Sequence, residues 1–340
     1  MSKDINILYL SDNNYAAYAG ISITSLFENN KHFDNITVYV IDDSISEENK
    51  KKYLKTAEKY GRKIVFLDMS SSIKKLEEMG ATKYRNSYTT YLKLFTFGIL
   101  PEEVERIFFI DSDALVVDRL DDILNFDMKG MPIAAVRDAL CTEYKVSLGI
   151  PAEDPWFNMG VMLVDVKKWK EFDCENRVIT QMKKRSSYVA VDQDLLNISI
   201  HGQIETLPPQ YNATPHHYVY DHDQFMKWFP QTCFYNKEEI EYSIKHPVIH
   251  HFERFVGESP WHKGTTHPYT KEFDYYMSIS EWKDYVKKPA NLNTTMKIEK
   301  ALYKTLPKKM FLPIWAYFYK RYFKKTSEKL ASNEMKNITV

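Results

Sequence analysis

The sequence predicts an α/β fold in which a mixed, mostly parallel sheet is flanked by helices. In the first half of the chain, short apolar runs alternate with segments of helical periodicity, a pattern typical of βαβ units. Three predicted strands end in acidic or Asn-rich turns, at Asp12–Asn14, Asp42-Asp43 and Asp111–Asp113. Because ligands of such sheets bind at the carboxyl ends of the strands, these turns are where a Rossmann-like nucleotide site is expected.

The predicted elements follow one another in order along the chain. Strands are predicted at Ile5–Leu10, Ile36–Ile41, Lys63–Leu67, Arg106–Ile110, Ile133–Val136, Val161–Val166 and Val248–Phe252. Helices are predicted at Ala16–Phe27, from a capping box at Ser44–Glu47 to about Tyr60, at Tyr91–Leu100 and at Asp192–Ile200. From about Pro208 to His267 the chain is rich in Pro, His, Tyr and Trp with little periodicity, which resembles functional loop more than scaffold.

The composition argues against several classes of protein. The apolar fraction is 44% and the charged fraction is 27%, which is ordinary for a soluble globular protein. The three cysteines, Cys141, Cys174 and Cys233, are odd in number and scattered, so we expect a reducing cytosol rather than a disulfide framework or a zinc site. The N-terminus has the pattern of a strand rather than a secretory signal, and no apolar run is long enough to span a membrane.

The sequence has no glycine-rich phosphate loop, since neither G-x-G-x-x-G nor G-x-x-x-x-G-K-[ST] occurs. A bound nucleotide would need a metal to neutralise its phosphates, which favours a diphosphate-sugar donor over a dehydrogenase cofactor or ATP. A metal site is indicated by Asp111-Ser112-Asp113, which lies between two apolar runs. Hard carboxylate oxygens suit Mn²⁺ or Mg²⁺. The alternative is a solvated acidic turn.

Two further groups of polar residues accompany this acidic pair. Asp192-Gln193-Asp194 begins a predicted helix, where acidic residues either complement the helix dipole or belong to a site. His250 and His251 end a short predicted strand. Since neighbouring residues of a strand point to opposite faces, at most one of the two histidines is expected to reach a metal.

Together these motifs resemble the family 8 retaining glycosyltransferases, which include glycogenin and the bacterial lipooligosaccharide galactosyltransferases. The resemblance covers about residues 5–265 and rests on Ser11–Tyr15, Asp111–Asp113, Phe157–Val161 and Asp192–Asp194, in this order. It implies a GT-A, Rossmann-like catalytic domain over residues 1–265. It also implies a metal-dependent enzyme that moves galactose or glucose from a UDP-sugar to an acceptor glycan, in bacterial cell-surface glycan or glycolipid synthesis.

The resemblance implies roles for individual residues as well. The nucleotide would be bound by Leu10, Asp12, Asn14, Tyr15, Lys93, Asp111, Ser112 and Asp113. Mn²⁺ or Mg²⁺ would be bound by Asp111, Asp113 and His251, with His250 as the fallback. In the catalytic group, Asn158 would reach the transferred sugar and Asp192 would hold its hydroxyls. Gln193 would lie under the anomeric carbon, and Asp138 between donor and acceptor.

The chain departs from the family's pattern in two places. Lys93 stands where the family usually has Arg, so the charge is kept but the bidentate fork is lost. The loop after His251 is longer than the family's and has no Lys before Pro260, which leaves Arg254 and Lys263 as candidates for the diphosphate contact.

A retaining mechanism usually suggests a carboxylate nucleophile and a double displacement. The residue implied beneath the anomeric carbon is Gln193, a poor nucleophile. We therefore expect the acceptor to attack from the face that UDP leaves, with a phosphate oxygen of UDP helping to remove the acceptor proton. Asp138 or Asp192 as a transient nucleophile is the alternative.

The C-terminal part differs in character. Residues 266–295 are expected to connect the catalytic domain to a basic, aromatic helical tail over residues 296–340, because Met296–Lys325 contains nine Lys or Arg and eight aromatic residues. Phe311, Trp315, Phe318 and Tyr322 share one face of the predicted helix, a pattern typical of a helix on anionic lipid. The alternative is a helix that packs on the domain with its lysines outward.

The expected protein is therefore cytoplasmic and peripheral on the inner face of the cell membrane. Its partners would be a UDP-hexose, a glycan or lipid-linked glycan, and anionic lipid, but no nucleic acid. Two other functions stay open. One is a nucleotide-sugar-binding scaffold with weak catalysis. The other is a sugar-1-phosphate nucleotidyltransferase, although that class normally has the glycine-rich loop that is absent from this sequence.

Overall fold

The structure, a computed structural model, describes residues 3–84, 87–139, 142–185, 188–230, 232–253 and 256–338, with side chains to residue 328. The strands are β1 (Asp4–Asp12), β2 (Asn35–Asp43), β3 (Lys63–Asp68), β4 (Arg106–Ile110), β5 (Ala114–Val116), β6 (Ile133–Arg137), β7 (Phe157–Asp165), β8 (Ile204–Thr206) and β9 (Ile249–His251). Short 3₁₀ helices lie at Lys93–Phe95 and Pro209–Asn212.

The α-helices cover both faces of the sheet and continue beyond it to the C-terminus. They are α1 (Ala16–Asn29), α2 (Glu47–Tyr60), α3 (Ser70–Glu78), α4 (Thr89–Leu92), α5 (Asp121–Leu124), α6 (Thr142–Ser147), α7 (Val166–Glu171), α8 (Cys174–Lys184), α9 (Val191–Ser199), α10 (Pro215–Val219), α11 (His222–Trp228), α12 (Lys237–Lys245), α13 (Thr270–Ile279), α14 (Thr294–Thr305) and α15 (Lys308–Ile338). Among the described residues, none of these helices combines the length and apolarity that crossing a membrane requires.

The central sheet has seven strands in the order β3-β2-β1-β4-β7-β6-β8. Strands β1 to β4 pair in parallel, as do β6 and β8, whereas β7 runs antiparallel to both of its neighbours. This confirms the predicted mixed, mostly parallel sheet with flanking helices. A second, two-stranded antiparallel sheet pairs β5 with β9.

Hydrophobic cores lie on both faces of the central sheet. Along β4, Phe108 and Ile110 contribute to the core that contains α1, while Ile107 and Phe109 contribute to the core that contains α8 and α9. Alternation of this kind follows from the two-residue period of a strand. With apolar contacts on both faces, the interior strands form a rigid platform for the polar turns at their ends.

Two predicted helices differ from the structure, one in where it begins and the other in how far it extends. The helix predicted to begin with a Ser44–Glu47 capping box is capped by Ser46, whose side chain accepts from the Asn49 amide at 3.3 Å. Ser44 instead has a φ of 63°, because Asp42 Oδ1 accepts from the Ile45 amide and closes a turn there. The helix predicted at Tyr91–Leu100 is α-helical only in α4 and then tightens into a 3₁₀ turn.

The segment from Pro208 to His267 is more regular than predicted. Helices α10, α11 and α12 lie within it, and α12 begins with a capping box between Asn236 and Glu239. These helices are short, and aromatic packing rather than a long apolar periodicity holds them, which is why the sequence pattern did not indicate them.

Strand β7 also begins four residues before the predicted Val161, because Phe157 and Asn158 pair with β6.

The C-terminal helix α15 packs on the body of the protein through one face. Phe311, Leu312 and Ala316 are buried against α10 and α11, and Phe323 is buried beside Tyr144. The prediction that Phe311, Trp315, Phe318 and Tyr322 form one lipid-facing stripe is therefore wrong. Phe311 is buried and the Trp315 ring stacks on Tyr220, whereas the side chains of Phe318 and Tyr322 are 60% and 59% exposed.

Candidate active site

The two sheets bring the predicted metal ligands together. Asp111 to Asp113 form the turn between β4 of the central sheet and β5 of the small sheet, and β9 places His251 opposite Ala114. Two backbone hydrogen bonds fix the turn. The Asp111 amide donates to the Gly160 carbonyl at 2.7 Å, and the Phe252 amide donates to the Asp113 carbonyl at 2.8 Å.

Asp111, Asp113 and His251 form a compact cluster of potential metal ligands. One donor atom from each lies within 4.8 Å of the other two, and within the described part of the chain no other such group occurs. His251 Nε2 is 3.3 Å from Asp113 Oδ1 and 3.9 Å from Asp111 Oδ2. His250 points the other way and stacks on the Tyr269 ring at 3.7 Å. One of the paired histidines thus reaches the carboxylates, and it is His251 rather than the fallback.

The charges in this cluster indicate a place for a cation. Burial raises the pKa of Asp111 to about 7, more than the nearby Lys93 lowers it. Burial alone would lower the pKa of His251, but the carboxylates of Asp113, Glu253 and Asp111 raise it to about 9. The cluster therefore retains protons that a divalent cation would displace. Two carboxylates and an imidazole fit Mn²⁺ or Mg²⁺.

Gly160 lies directly beneath this cluster. A Cβ atom at this position would lie 2.3 Å from His251 Cε1 and 2.8 Å from Asp111 Oδ2, distances that force the surroundings to move. The glycine of the Phe157–Val161 motif is thus required by the close approach of two ligand side chains.

We expect Gly160→Ala to weaken Mn²⁺ binding at least tenfold and to lower the free energy of unfolding by about 1–3 kcal/mol, the usual cost of overpacking. Titration with Mn²⁺ in the presence of UDP and urea unfolding measure the two effects. The control is Gly98→Ala, because Gly98 is exposed and its Cβ would meet only the flexible end of Glu175. Wild-type Mn²⁺ affinity in Gly160→Ala would contradict the placement of the cluster.

Asn158 connects the ligand cluster to the other predicted catalytic residues. Its Oδ1 accepts from the Gly160 amide and from Asn212 Nδ2, both at 2.9 Å. Its Nδ2 donates to the carboxylates of Glu253 and, at 3.5 Å, Asp138. The whole hydrogen-bonding capacity of this amide is therefore used within the protein.

Gln193 and Asp138 lie on the same side of the site as Asn158. Gln193 Nε2 donates to Asp138 Oδ2 at 3.2 Å, and Gln193 Oε1 accepts from the Met159 amide at 3.3 Å. These two contacts fix the orientation of the Gln193 side chain. The predicted catalytic residues Asn158, Gln193 and Asp138 thus form one hydrogen-bonded group.

Asp192 and Lys93 complete the floor of the site. Lys93 is 2% exposed, and its Nζ forms an ion pair with Asp192 and donates to the Met159 carbonyl at 2.9 Å. Lys93 Nζ also lies 3.9 Å from Asp111 Oδ1 and 4.5 Å from the centre of the Phe109 ring. The positive charge of Lys93 therefore balances part of the negative charge of Asp111 and Asp192.

The N-terminal nucleotide turn is joined to the acidic pair. Ser112 Oγ donates to the Leu10 carbonyl, which ties the end of β1 to the turn after β4. Asp12 Oδ1 accepts from the Tyr15 amide at 2.8 Å, and Asn14 Nδ2 donates to Asp12 Oδ2 at 3.1 Å. The structure therefore places the residues of the predicted nucleotide turn in one ordered turn next to the ligand cluster.

The third residue of the Asp192–Asp194 motif has a different position. Asp194 is fully buried and accepts hydrogen bonds from the Tyr144 hydroxyl at 2.6 Å and from the amides of Val189 and Ala190 at 2.9 and 3.0 Å. Burial raises the pKa of Asp194 to about 7. This carboxyl group holds the loop that enters α9, and so it orients the two residues before it.

Two polar residues of the site were not predicted from the sequence. Asn212 and Glu253 both contact Asn158, and Asn212 Oδ1 also lies 2.9 Å from His251 Nδ1. Glu253 follows His251 by two residues, so a strand pattern extended past His251 would have placed both side chains on one face. Of the two candidates for the diphosphate contact, Arg254 lies outside the described residues and Lys263 is exposed.

The chain is similar in sequence to one protein family and to several bacterial proteins. The model of the family described as glycosyl transferase family 8 matches residues 6–265. General stress protein A of Bacillus subtilis is 30% identical over 292 residues, which cover 83% of this chain and 96% of that protein. Lipopolysaccharide 1,2-glucosyltransferase of Escherichia coli K12 is 26% identical over 300 residues, which cover 83% of this chain and 80% of that enzyme.

A solved structure shows the same fold. The crystal structure of galactosyltransferase LgtC, in complex with donor and acceptor sugar analogs, aligns with a TM-score of 0.66 at 22% identity and covers 83% of this chain and 100% of LgtC. This similarity confirms the predicted GT-A arrangement. With the family model matched over most of the chain, the protein belongs to glycosyltransferase family 8.

Proposed function

We propose that this protein is a metal-dependent retaining hexosyltransferase, which moves galactose or glucose from a UDP-sugar to a hydroxyl group of an acceptor glycan. Family membership and the glucosyltransferase relatives support hexosyl transfer in glycan synthesis. The observation that carries the finer proposal is the position of the Asp111, Asp113 and His251 cluster next to the group formed by Asn158, Gln193 and Asp138.

In this proposal the carboxyl ends of β1 and β4 bind the nucleotide. The ordered turn of Asp12 to Tyr15 contacts uracil and ribose, and the Leu10 carbonyl, already bonded to Ser112, lies near the base. Asp111, Asp113 and His251 bind Mn²⁺ or Mg²⁺. The ion, when bound, neutralises the charge that develops on the leaving diphosphate.

The remaining residues position the sugar. Gln193 is fixed by Asp138 and by the Met159 amide, so its amide group lies ready beneath the anomeric carbon as a dipole rather than as a nucleophile. Asp192, bound to Lys93, orients the hydroxyls of the transferred hexose. The acceptor hydroxyl attacks from the face that UDP leaves, and a phosphate oxygen of UDP takes up its proton.

The proposal is tested by measuring UDP release from a panel of UDP-sugars, with Mn²⁺ and with EDTA. Metal-dependent hydrolysis of one UDP-hexose would support it and identify the donor sugar. A protein that binds a UDP-sugar but neither hydrolyses nor transfers it would be the scaffold with weak catalysis. Absence of both binding and hydrolysis for every UDP-sugar would overturn the proposal.

The protons bound by the cluster of Asp111, Asp113 and His251 predict how metal binding depends on pH. The pKa of Asp111 is raised to about 7 and that of His251 to about 9, so Mn²⁺ must displace protons at neutral pH. We expect the dissociation constant for Mn²⁺ to fall by about a thousandfold in total between pH 6 and pH 8, because about two protons are displaced at pH 6 and about one at pH 8. Calorimetry in buffers of different ionisation enthalpy measures the proton release. A dissociation constant that does not change with pH would contradict this prediction.

We also propose that α15 attaches the enzyme to anionic lipid on the inner face of the cell membrane, where a glycan or lipid-linked glycan is the acceptor. Tyr317, Phe318 and Tyr322 are each about 60% exposed, although Phe311 and Phe323 of the same helix are buried. Arg321 and Lys325 are exposed beside them. An exposed face of aromatic and basic side chains suits the interface of an anionic bilayer.

Because one face of α15 is buried, deleting the tail would expose the core, and a surface variant is the better test. We expect the triple variant Tyr317→Ser, Phe318→Ser and Tyr322→Ser to bind phosphatidylglycerol vesicles at least tenfold more weakly, with transfer to a soluble acceptor unchanged. Vesicle sedimentation measures the binding. The control is Tyr242→Ser, since Tyr242 is 55% exposed on α12. Equal vesicle binding by all three proteins would refute the lipid attachment.

A further inference from the structure

Asn212 is a fully buried residue at the end of the Pro209–Asn212 turn, and no sequence motif indicated it. The backbone next to it is held against β9. The Ala213 amide donates to the Ile249 carbonyl at 2.9 Å, and the His251 amide donates to the Ala213 carbonyl at 3.1 Å. This pairing fixes the Asn212 side chain beside the His251 ring.

The backbone amide of Gly160 determines which atom donates and which accepts in the hydrogen bonds that link Asn158, Asn212 and His251. The Gly160 amide can only donate, so the Asn158 atom 2.9 Å from it must be the side-chain oxygen. The Asn212 atom at 2.9 Å from that same oxygen must therefore be the side-chain nitrogen. Asn212 Oδ1 is then the atom that faces His251 Nδ1 at 2.9 Å, and Nδ1 must carry the proton.

We infer that Asn212 is a positioning residue, which holds His251 in the tautomer with a proton on Nδ1 and a lone pair on Nε2. The Nε2 atom is the one that faces Asp113 at 3.3 Å and Asp111 at 3.9 Å. Residues that orient a metal-binding histidine through its other ring nitrogen commonly change metal affinity ten- to a hundredfold. The Gly160 N–H group thus fixes the orientation of the Asn158 amide, which fixes that of the Asn212 amide. Asn212 in turn determines which nitrogen of His251 carries the proton.

The same geometry explains what happens when the amide is lost. In Asn212→Leu, which has a similar volume but no polar group, His251 Nδ1 would face an apolar side chain. The proton of the neutral ring would then move to Nε2, where Asp113 Oδ1 can accept it at 3.3 Å. A protonated Nε2 has no lone pair for a metal ion.

The inference rests on the proposed metal site for its consequence, but the tautomer can be measured without metal. We would record the ¹⁵N spectrum of the histidine-labelled, metal-free protein at pH 10, above the raised pKa of His251 of about 9. The His251 signals are assigned by their absence from His251→Gln. The wild type is expected to carry the proton on Nδ1 and Asn212→Leu on Nε2. A wild-type proton on Nε2 would overturn the inference without any Asn212 variant.

The second measurement is the dissociation constant for Mn²⁺ in the presence of UDP. It is expected to rise about ten- to a hundredfold in Asn212→Leu. It should rise less in Asn212→Asp, which keeps an acceptor for Nδ1–H. The control is Asn30→Leu, because Asn30 is equally buried but its oxygen accepts from the Leu120 amide, away from the site. This variant should lose stability but keep the Mn²⁺ affinity.

An Mn²⁺ affinity of Asn212→Leu within threefold of wild type, or weaker binding by Asn212→Asp than by Asn212→Leu, would overturn the inference. If the wild type binds no Mn²⁺ at all, the proposed metal site fails instead. The tautomer measured without metal then still decides whether Asn212 orients the ring.

Discussion

Replacing both aspartates, Asp111→Asn with Asp113→Asn, is expected to lower sugar transfer at least a thousandfold. Loss of Lewis-acid stabilisation worth about 4 kcal/mol corresponds to this factor. The fold should survive, because burial, together with the proximity of Asp113, raises the pKa of Asp111 to about 7, so a charged carboxylate at this position is costly. A neutral amide at position 111 relieves this cost, whereas Asp113→Asn loses the ion pair with His251, which holds the pKa of Asp113 below its usual value. The two effects oppose each other, so the metal-free variant should fold with a stability close to that of wild type.

UDP release and Mn²⁺ titration measure the loss of function, and urea unfolding measures stability. The matched control is Glu102→Gln with Glu103→Gln, a pair of exposed neighbouring acids that removes the same charge elsewhere. Transfer within tenfold of wild type by the aspartate variant would show that the reaction needs no metal at this position. A large loss of stability would show that the carboxylates serve the fold rather than a cation.

The second large effect is expected from Lys93→Met. This substitution leaves the carboxylates of Asp192 and Asp111 without the buried cation that Lys93 provides at 2% exposure. Breaking a buried ion pair by removing one partner costs about 3–5 kcal/mol. The pKa of Asp111 should rise further, since Lys93 is the group that lowers it most, and transfer should fall with metal binding.

Lys93→Arg tests the charge separately from the shape. It keeps the cation, so transfer should be higher than in Lys93→Met even if the larger side chain costs about 1–3 kcal/mol in stability. The control is Lys145→Met, another buried lysine, whose Nζ donates to the carbonyls of Ala152 and Asp154 rather than to the site. It should lower stability and leave Mn²⁺ affinity unchanged. A loss below 1 kcal/mol in Lys93→Met would refute the role of Lys93 as counter-charge.

The central features of the site could be predicted because they depend on local sequence. The acidic turn after β4 follows an apolar run, and the alternation of a strand separates His250 from His251. Sheet topology then places the turn after β1 beside it, since β1 and β4 are neighbours. The strand period can be read from the sequence, whereas the order of the strands in the sheet is known only from the structure.

The residues that could not be predicted depend on contacts between distant segments. Asn212 meets Asn158 across the end of β7, and nothing in the pattern around Pro209 and Tyr211 distinguishes this asparagine from a turn residue. The start of α2 was also predicted wrongly. Its N-cap is Ser46, whose amide donates to Oδ1 of Asn13, a residue in a distant segment of the chain. Tertiary hydrogen bonds of this kind have no signature in periodicity.

The aromatic stripe of α15 shows a third limit. The 3.6-residue period predicts which side chains share a face, but not which side chains of that face the body of the protein covers. The body covers Phe311 and Phe323, and it leaves Tyr317, Phe318 and Tyr322 exposed.

The small sheet of β5 and β9 also determines when during synthesis the site can exist. Asp113 and His251 are joined across this sheet, although more than a third of the chain separates them in sequence. As the protein leaves the ribosome, the early strands and both aspartates emerge well before β9. A product that stops before Val248 therefore contains the acidic pair without His251, and only a chain translated beyond β9 can form the complete cluster.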